Sequence, residues 1–366
     1  MLSRRDILDR AQHIWHLFTR QRSCPVNYIV ESVEWSVTWD GRYISQGVSR
    51  LGIDCVATHR AGSIHKAIVH CGSLGLTLQF AEIAARNQNL IVSTIFHGDF
   101  GISDKMDSQL ERFLQLVPIL SCVVVANGTM RERLIRWGVP ESKIRQIPIG
   151  VNLSLFQPTS STHRQSMRAR FGIPETSICV GSFQKDSEGW PDGHSPKWIK
   201  GPDVFVDTVT ALAKSFPVHC FITGPSRGYV KHRLEQEGIT FTHIFLDRYE
   251  NIVDCYACLD LYLIASREEG GPKAVLEATA CGVPVVSTRV GMVQEVLADE
   301  AVIADGPTDL LIKAQVVCQN LEPAFQRAQK RATCLSAYDW SQVAQAHWHL
   351  YADLLNMSDL PDGQRV

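Results

Sequence analysis

Residues 259–286 constrain the fold more than any other part of the chain. The segment begins with a short apolar run, residues 259–265, which suits a strand buried on both faces of a parallel sheet. A glycine-rich loop follows, and the good helix formers Ala, Leu and Glu then occupy residues 274–281. Gly282 ends the predicted helix, and a second apolar run covers residues 283–286. Strand, loop, helix and strand in this order are the repeating unit of an α/β fold with a parallel sheet.

The loop and the helix of this unit place two carboxylates, Glu269 before the helix and Glu277 on its second turn. Backbone N–H groups at a helix N-terminus lack intrahelical partners and carry partial positive charge, so they favour a phosphate. The spacing predicts a site for a phosphorylated, hydroxyl-rich ligand, with Glu277 on a ribose diol and Glu269 on sugar hydroxyls. The alternative is that both are solvated acids that the helix dipole alone favours at this position.

The string EGGPKAVLEA at residues 269–278, followed by ACGVPVV at residues 280–286, closely resembles the Glu-x7-Glu signature of retaining glycosyltransferases of family 4. These enzymes have the GT-B fold and move a sugar from a nucleotide-sugar onto an acceptor. The resemblance implies that Glu277 grips the nucleotide ribose and that Glu269 is a catalytic residue on the donor sugar. It also implies that the loop between them lines the donor site, through Gly270, Gly271, Pro272 and Lys273.

Length and composition limit the number of domains and the classes of partner. The 366 residues suffice for two domains that each bury a core, and 45% hydrophobic with 20% charged residues indicate a soluble globular chain. A formal net charge of −2 argues against nucleic acid as a partner, because binding a phosphate backbone needs a basic excess.

The eleven cysteines lie mostly in apolar runs, and no secretion signal precedes them. Cys255 and Cys258 have the spacing of a metal or redox motif but no second pair nearby. No apolar run approaches the roughly eighteen residues of a membrane span. A cytoplasmic location is expected, and a peripheral position on the inner face of the membrane stays open.

Residues 2–20 predict one amphipathic helix, with apolar residues such as Ile7, Ile14 and Phe18 on or near one face and several arginines that make it basic. Two interpretations stay open. The helix packs on its own domain, or it lies on an anionic membrane surface, where apolar insertion and charge attraction both favour binding. It is too polar and too well charged for a signal peptide.

The first predicted strand, residues 27–33, precedes a stretch WSVTWDG at residues 35–41 that reads as a loop, with a helix expected from residue 42 to 51. Such a loop lies at the carboxyl edge of a doubly wound sheet, where ligands bind. In the resembled family the equivalent loop is glycine-rich and closes on the donor phosphates and the acceptor. Here the acceptor or loop candidates are Trp39, Asp40 and Gly41, and the alternative is that the tryptophans belong to the core.

His97 follows the predicted strand at residues 90–96 and is adjacent to Gly98 and Asp99. A histidine at a strand end beside a glycine is placed to donate to a developing charge or a sugar hydroxyl. Family 4 enzymes often carry a catalytic-site histidine in a comparable loop, so the resemblance implies a catalytic role for His97. A structural histidine is the alternative.

Residues 150–158 resemble the hinge of the same family, and the polar stretch 158–168 is the best linker by composition. After the next strand the family has Gly-Arg and then Lys-Gly, whose two cations neutralise the donor diphosphate. Lys200 matches, whereas the arginine is missing and Lys185 is the candidate replacement. The insertion between these lysines is rich in Gly, Pro and Asp, and it is a candidate lid over the site.

Together these features predict the GT-B fold, with two doubly wound Rossmann-like domains facing across a cleft. Residues 1–157 are expected to form the acceptor-side domain and residues 158–335 the nucleotide-sugar-binding domain. Residues 336–366 are expected to form a helix that crosses back to the first domain.

The resemblance implies a retaining glycosyltransferase that transfers a sugar from a nucleotide-sugar to a glycan, lipid-linked or small-molecule acceptor, in polysaccharide or glycoconjugate biosynthesis. We expect no metal cofactor, because no dependable acidic pair such as Asp-x-Asp is found. Two alternatives stay open. One is another GT-B activity, such as nucleotide-sugar 2-epimerisation, and the other is a non-catalytic nucleotide-sugar-binding protein that serves an assembly, suggested by the missing arginine.

Overall fold

The computed structural model describes residues 24–33, 36–188 and 193–358. They form two α/β domains, each built on a six-stranded sheet with parallel pairing throughout. The predicted N-terminal helix, residues 2–20, lies outside the described residues. Within the described ranges, no helix combines the length and the apolar character needed to cross a bilayer.

The first domain has the strand order β2-β1-β3-β4-β5-β6. Its strands are β1 (Val26–Ile29), β2 (Cys55–Thr58), β3 (Ile68–Cys71), β4 (Leu90–Thr94), β5 (Cys122–Val125) and β6 (Ile144–Gln146). Its helices are α1 (Ser36–Arg50), α2 (Leu74–Arg86), α3 (Asp104–Leu116) and α4 (Gly128–Arg136). The side chains of Ser73, Ser103 and Asn127 cap α2, α3 and α4 by accepting a backbone N–H. Three of the connections from strand to helix are therefore fixed by a polar cap.

The second domain has the strand order β12-β11-β10-β7-β8-β9. Its strands are β7 (Ile178–Ser182), β8 (Val218–Thr223), β9 (Phe241–Ile244), β10 (Leu261–Ile264), β11 (Val285–Thr288) and β12 (Ile303–Ala304). Its helices are α5 (Ser161–Arg170), α6 (Pro202–Ala213), α7 (Gly228–Gln236), α8 (Ile252–Ala257), α9 (Lys273–Ala280), α10 (Val293–Leu297), α11 (Pro307–Gln319) and α12 (Leu321–Ala332). The chain reverses its direction across the sheet between β7 and β10, and such a switch point opens a crevice at the carboxyl ends of the strands.

The last described helix, α13 (Trp340–Ser358), packs on the first domain. Its buried Val343 and Tyr351 join the core formed by α1 and one face of the first sheet. The residues just before it run beside the connection between the domains. Val151 N–H donates to the Tyr338 carbonyl at 2.8 Å, and Trp340 N–H donates to the Val151 carbonyl at 3.2 Å. The two chain segments that connect the domains therefore lie side by side.

The predicted loop over residues 35–41 is wrong from Ser36 onward, because α1 begins there. The β-branched and aromatic residues of this stretch have modest helix propensity, and packing against the sheet overrides that preference. Gly41 shows why: a Cβ at this position would lie 2.3 Å from the side chain of Val30 and 2.8 Å from that of Tyr28. Gly41 therefore lets α1 approach β1 closely and does not belong to a flexible loop.

The predicted linker over residues 158–168 is also wrong over most of its length, because α5 begins at Ser161. Arg164 donates to one carboxylate oxygen of Asp260 at 2.5 Å, and Arg168 pairs with the other. Arg168 is buried and also donates to the Cys258 carbonyl at 3.0 Å. A stretch that composition marks as solvated is thus held to the second domain by a buried ion-pair cluster.

Candidate active site

The loops after β7 and β10 meet at the switch point of the second domain. Gly181 and Tyr262 pair directly in the two strands, so the two loops leave the sheet side by side. The loop after β7 carries Lys185 and, further on, Lys200, while the loop after β10 carries Glu269. Residues that are far apart in the sequence therefore meet at one edge of the sheet.

Lys200 and Glu269 form an ion pair between these two loops. Lys200 ends a single 3-10 turn, Trp198–Lys200, and its Nζ contacts Glu269 Oε1. Ser266 Oγ also donates to this oxygen, at 3.1 Å. The Glu269 side chain is only 9% exposed, so the pair lies in a setting where water screens it weakly. The structure thus brings together the acid and the cation that the sequence singled out separately.

A second lysine, Lys197, lies within electrostatic reach of this pair, and Lys185 lies within reach of Lys197. Burial lowers the pKa of Lys197, and the charges of Lys200 and Lys185 lower it further, whereas Glu188 and Glu269 act in the opposite direction. The loop after β7 therefore concentrates positive charge beside Glu269. Lys197 was not predicted, although its place three residues before Lys200 was an available signal.

Gln184 ties the loop after β7 to the rest of the site. Its Nε2 donates to the Lys200 carbonyl at 3.0 Å, and its Oε1 accepts from Ser266 Oγ at 3.2 Å. The backbone carbonyl of Gln184 accepts from Arg227, whose Nε forms a buried ion pair with Asp186 at 2.6 Å. This network fixes the turn that presents Lys200.

His97 faces the Lys200–Glu269 pair from the first domain, at the end of β4. Burial lowers its pKa, with a weaker opposing effect from Glu269 and a weaker supporting one from Lys200, so the imidazole is neutral at neutral pH. Its Nδ1 is buried, and within the described ranges it has no hydrogen-bond partner. A neutral imidazole with one unpartnered nitrogen is available to a ligand in the cleft.

Glu277 lies on α9, and the hydroxyls of two tyrosines contact its carboxylate. The hydroxyl of Tyr249 donates to Oε1, and that of Tyr256 donates to Oε2 at 2.8 Å. Glu277 is 5% exposed. Burial raises its pKa, and the two hydrogen bonds oppose this effect. The carboxylate is placed at the cleft but already holds two hydroxyl donors, which the sequence did not suggest.

The glycine-rich loop before α9 touches the first domain. The side-chain amide of Asn127 donates to the Gly270 carbonyl. A Cβ on Gly270 would lie 2.3 Å from the carbonyl oxygen of Phe96, so only glycine fits there. Gly271 follows, and the buried Pro272 is the N-cap of α9. These residues therefore form a contact between the domains as well as a helix N-terminus.

The acceptor-side candidates on α1 also reach across the cleft. Asp40 is buried and forms an ion pair with Lys273, the first residue of α9. The ring of Trp39 stacks on that of Tyr249, with 6.4 Å between the centroids. Lys273 therefore holds a carboxylate of the first domain, and the cleft is closed at this point.

Two doubly wound parallel sheets that face each other across a cleft, with a final helix on the first domain, define the GT-B fold. The predicted fold is thus confirmed, and solved structures share it. Anabaena HepE in complex with UDP and glucose aligns with a TM-score of 0.70 at 16% identity, over 90% of this chain and 99% of that one.

Residues 193–322 match the family model described as "Glycosyl transferases group 1". A phosphatidylinositol N-acetylglucosaminyltransferase component of Arabidopsis thaliana is 24% identical over 320 residues, which cover 84% of this chain and 63% of that protein. The lipopolysaccharide core biosynthesis mannosyltransferase LpsB of Rhizobium meliloti is 38% identical over 156 residues, 40% of this chain and 41% of that protein. Over residues 193–322 the chain is thus similar to glycosyltransferases of group 1, as the sequence indicated, and it has the GT-B fold. It spans less than two thirds of the length of these curated relatives.

Proposed function

We propose that the chain is a retaining glycosyltransferase of family 4, which moves a sugar from a nucleotide-sugar to an acceptor in glycoconjugate or polysaccharide biosynthesis. One observation carries the proposal. The nearly buried Lys200–Glu269 pair lies at the switch point of the second sheet, and His97 of the first domain faces it across the cleft. A donor bound there would meet cations, an acid and a neutral imidazole at once.

The donor diphosphate would lie between the lysine cluster and the N-terminus of α9. Lys185, Lys197 and Lys200 would supply charge that compensates the diphosphate, and the free N–H groups of the helix would add to it. Lys200 would exchange Glu269 for a phosphate oxygen, which leaves the Glu269 carboxylate free for the sugar. The nucleotide ribose would bind Glu277, and Tyr249 would then release Oε1.

In a retaining transfer the diphosphate leaves from the face at which the acceptor arrives, and the main demand is stabilisation of the departing charge. Preorganised cations in a site closed to water meet this demand without a covalent intermediate. Glu269 would hold hydroxyls of the sugar as positive charge develops on its ring. His97, neutral because of its burial, would donate to a sugar hydroxyl from the opposite domain.

The names of the relatives narrow the first substrates to test. HepE is solved with UDP and with UDP-glucose, and the Arabidopsis relative is part of a phosphatidylinositol N-acetylglucosaminyltransferase. We therefore propose a uridine diphosphate sugar as donor and a lipid-linked acceptor. The basic N-terminal segment, residues 2–20, would then bring the first domain to an anionic membrane surface.

The experiment combines donor binding with turnover. Calorimetry with UDP-glucose, UDP-N-acetylglucosamine and the corresponding guanosine diphosphate sugars identifies the donor, and release of free sugar without acceptor measures slow hydrolysis. We expect binding of one donor and hydrolysis that Glu269→Gln removes while donor affinity changes little. Binding without hydrolysis or transfer would favour a non-catalytic binding protein, and a 2-epimeric sugar product would favour the epimerase alternative.

A further inference from the structure

We infer that Glu268 and Arg133 form a positioning pair, which holds the His97 loop in its working orientation only while the cleft is closed. The inference rests on the proposed function, because it assigns the pair to the same site. Glu268 belongs to the loop after β10 of the second domain, directly before Glu269, and Arg133 lies on α4 of the first domain.

The two side chains make a bidentate, fork-like contact. Arg133 Nη1 lies 2.6 Å from Glu268 Oε1, and Nη2 lies 3.2 Å from Oε2. Such a fork fixes orientation as well as distance. Their side chains are 18% and 10% exposed. A nearly buried pair with two parallel bonds is screened far less than an ion pair on the surface.

The same two side chains hold the backbone of Gly98, the residue after His97. Gly98 N–H donates to Glu268 Oε1 at 3.0 Å, and the Gly98 carbonyl accepts from Arg133 Nη1 at 3.0 Å. Gly98 has a φ of +128°, a conformation that side chains rarely permit. Both backbone polar groups of this residue are thus fixed by the pair, one of them from the opposite domain.

The pair can also separate without leaving a buried charge alone. Arg133 Nε binds Asp99 at 3.1 Å, and Arg136 binds the same carboxylate at 3.2 Å. When the domains part, Glu268 moves away with the second domain and reaches water, while Arg133 keeps Asp99. Opening therefore releases the N–H of Gly98 and leaves its carbonyl in place. The orientation of His97 is then coupled to closure.

The adjacent residues Glu268 and Glu269 have different partners and different proposed roles. Glu269 faces Lys200 and the sugar position, whereas Glu268 faces Arg133 and the His97 loop. Closure of one loop of the second domain therefore brings the acid to the donor and sets the histidine of the other domain in the same movement. Glu268 and Arg133 act through His97 and are positioning residues.

The test uses the full chain with three variants. Glu268→Gln keeps the shape and removes the charge, and Arg133→Gln breaks the same contact from the other domain. Arg136→Gln is the matched control, because Arg136 lies on the same helix and binds Asp99, is exposed, and contacts neither Glu268 nor Gly98 in any described hydrogen bond. Each variant is measured for donor affinity by calorimetry, for turnover, and for amide hydrogen exchange of residues 96–101.

We expect Glu268→Gln and Arg133→Gln each to lower kcat by about 10- to 100-fold, because a small misplacement of a reacting group has an effect of this size. Donor affinity should change less than about twofold, and the double variant should be no slower than the worse single one. Amide exchange of residues 96–101 should rise in both variants and stay unchanged in Arg136→Gln.

Equal losses in kcat and donor affinity would overturn the inference, since the pair would then support the fold as a whole. Unchanged kcat despite faster exchange would overturn it too, because His97 would not depend on the contact. If one variant fails to fold, the other decides the question. If the wild-type chain turns over no donor, the proposed function fails, while unchanged exchange in both variants would still refute the pair on its own.

Discussion

Tyr249→Phe should tighten nucleotide binding, although it removes a hydrogen bond within the protein. Tyr249 OH donates to Glu277 Oε1, the oxygen that we assign to the ribose. The ribose and the tyrosine hydroxyl would compete for one acceptor, so a ribose at Oε1 has to displace the Tyr249 hydroxyl. Removing the hydroxyl abolishes that cost, because the ribose then meets a carboxylate oxygen without a protein donor.

The size of the effect follows from the kind of bond. A hydrogen bond to a charged group contributes about 1.5–3 kcal/mol net. Using the lower value, since Tyr249 is only partly buried, the variant should bind the nucleotide about tenfold more tightly. Tyr249→Phe should also lower the free energy of unfolding, measured without nucleotide, by ~1.5 kcal/mol. The bond that the variant loses is the same bond that the ribose would otherwise have to break.

Tyr256→Phe is the matched control. Tyr256 is fully buried and donates to the other oxygen of Glu277 at 2.8 Å. Because we assign the ribose to Oε1, the bond to Oε2 has no competitor, and this variant should lose a similar amount of stability without gaining affinity. Trp39, which stacks on Tyr249, is present in both variants, so its packing does not distinguish them.

Calorimetric titration of UDP against wild type and both variants gives the affinities, and urea unfolding gives the stabilities. Unchanged or weaker binding in Tyr249→Phe, together with the expected stability loss, would contradict competition between Tyr249 and the ribose. It would mean either that Tyr249 stays on Glu277 in the bound state or that the ribose binds elsewhere.

The remaining predictions concern the diphosphate, the loop and the membrane. Lys200→Ala and Lys197→Ala should each weaken UDP binding more than UMP binding, measured by calorimetry, because the lost charge faces the distal phosphate. Burial and neighbouring lysines lower the pKa of Lys197, and a bound diphosphate would raise it. Binding at alkaline pH should therefore take up protons, seen as a dependence of the apparent enthalpy on the buffer, and Lys197→Arg should abolish it. Gly270→Ala should hold the domains apart, because its Cβ would lie 2.3 Å from the Phe96 carbonyl oxygen; small-angle scattering should show a larger radius of gyration, and an unchanged radius would contradict this. The full chain should sediment with anionic vesicles but not with neutral ones, and removal of residues 1–22 should abolish sedimentation; equal sedimentation without these residues would refute the membrane role.

The parts of the fold that sequence could predict are those in which local pattern and tertiary packing agree. The predicted strand within residues 259–265 and the predicted helix over residues 274–281 are found at Leu261–Ile264 and Lys273–Ala280, because the first is a continuous apolar run and the second carries good helix formers that Gly282 ends. Residues 36–41 failed because their propensity opposes the helix that the sheet imposes on them. Residues 104–116 form α3, which was not predicted although Ser103 caps it.

At the site, the sequence could indicate residues that a motif places within a few positions of one another, such as Glu269 and Glu277. It could not indicate which side chains of the other domain meet them. Arg133 has no local feature that separates it from the other arginines of α4, and only the approach of Glu268 gives it a role. Tyr249 likewise sits in an ordinary polar turn, and its importance comes from a carboxylate 28 positions away.

One loop, residues 268–273, carries both the contacts that close the cleft and the residues that we assign to the donor. Its Gly270 and Glu268 contact the first domain, while Glu269 pairs with Lys200. A ligand that draws Lys200 away from Glu269 therefore changes the charge next to Glu268 as well. Donor recognition, as we propose it, and the contacts that close the cleft therefore use neighbouring residues of one short loop, although Glu268 itself is not assigned to the donor. The closed cleft holds the His97 loop through Glu268, and the same contacts would reduce exposure of a bound donor to water.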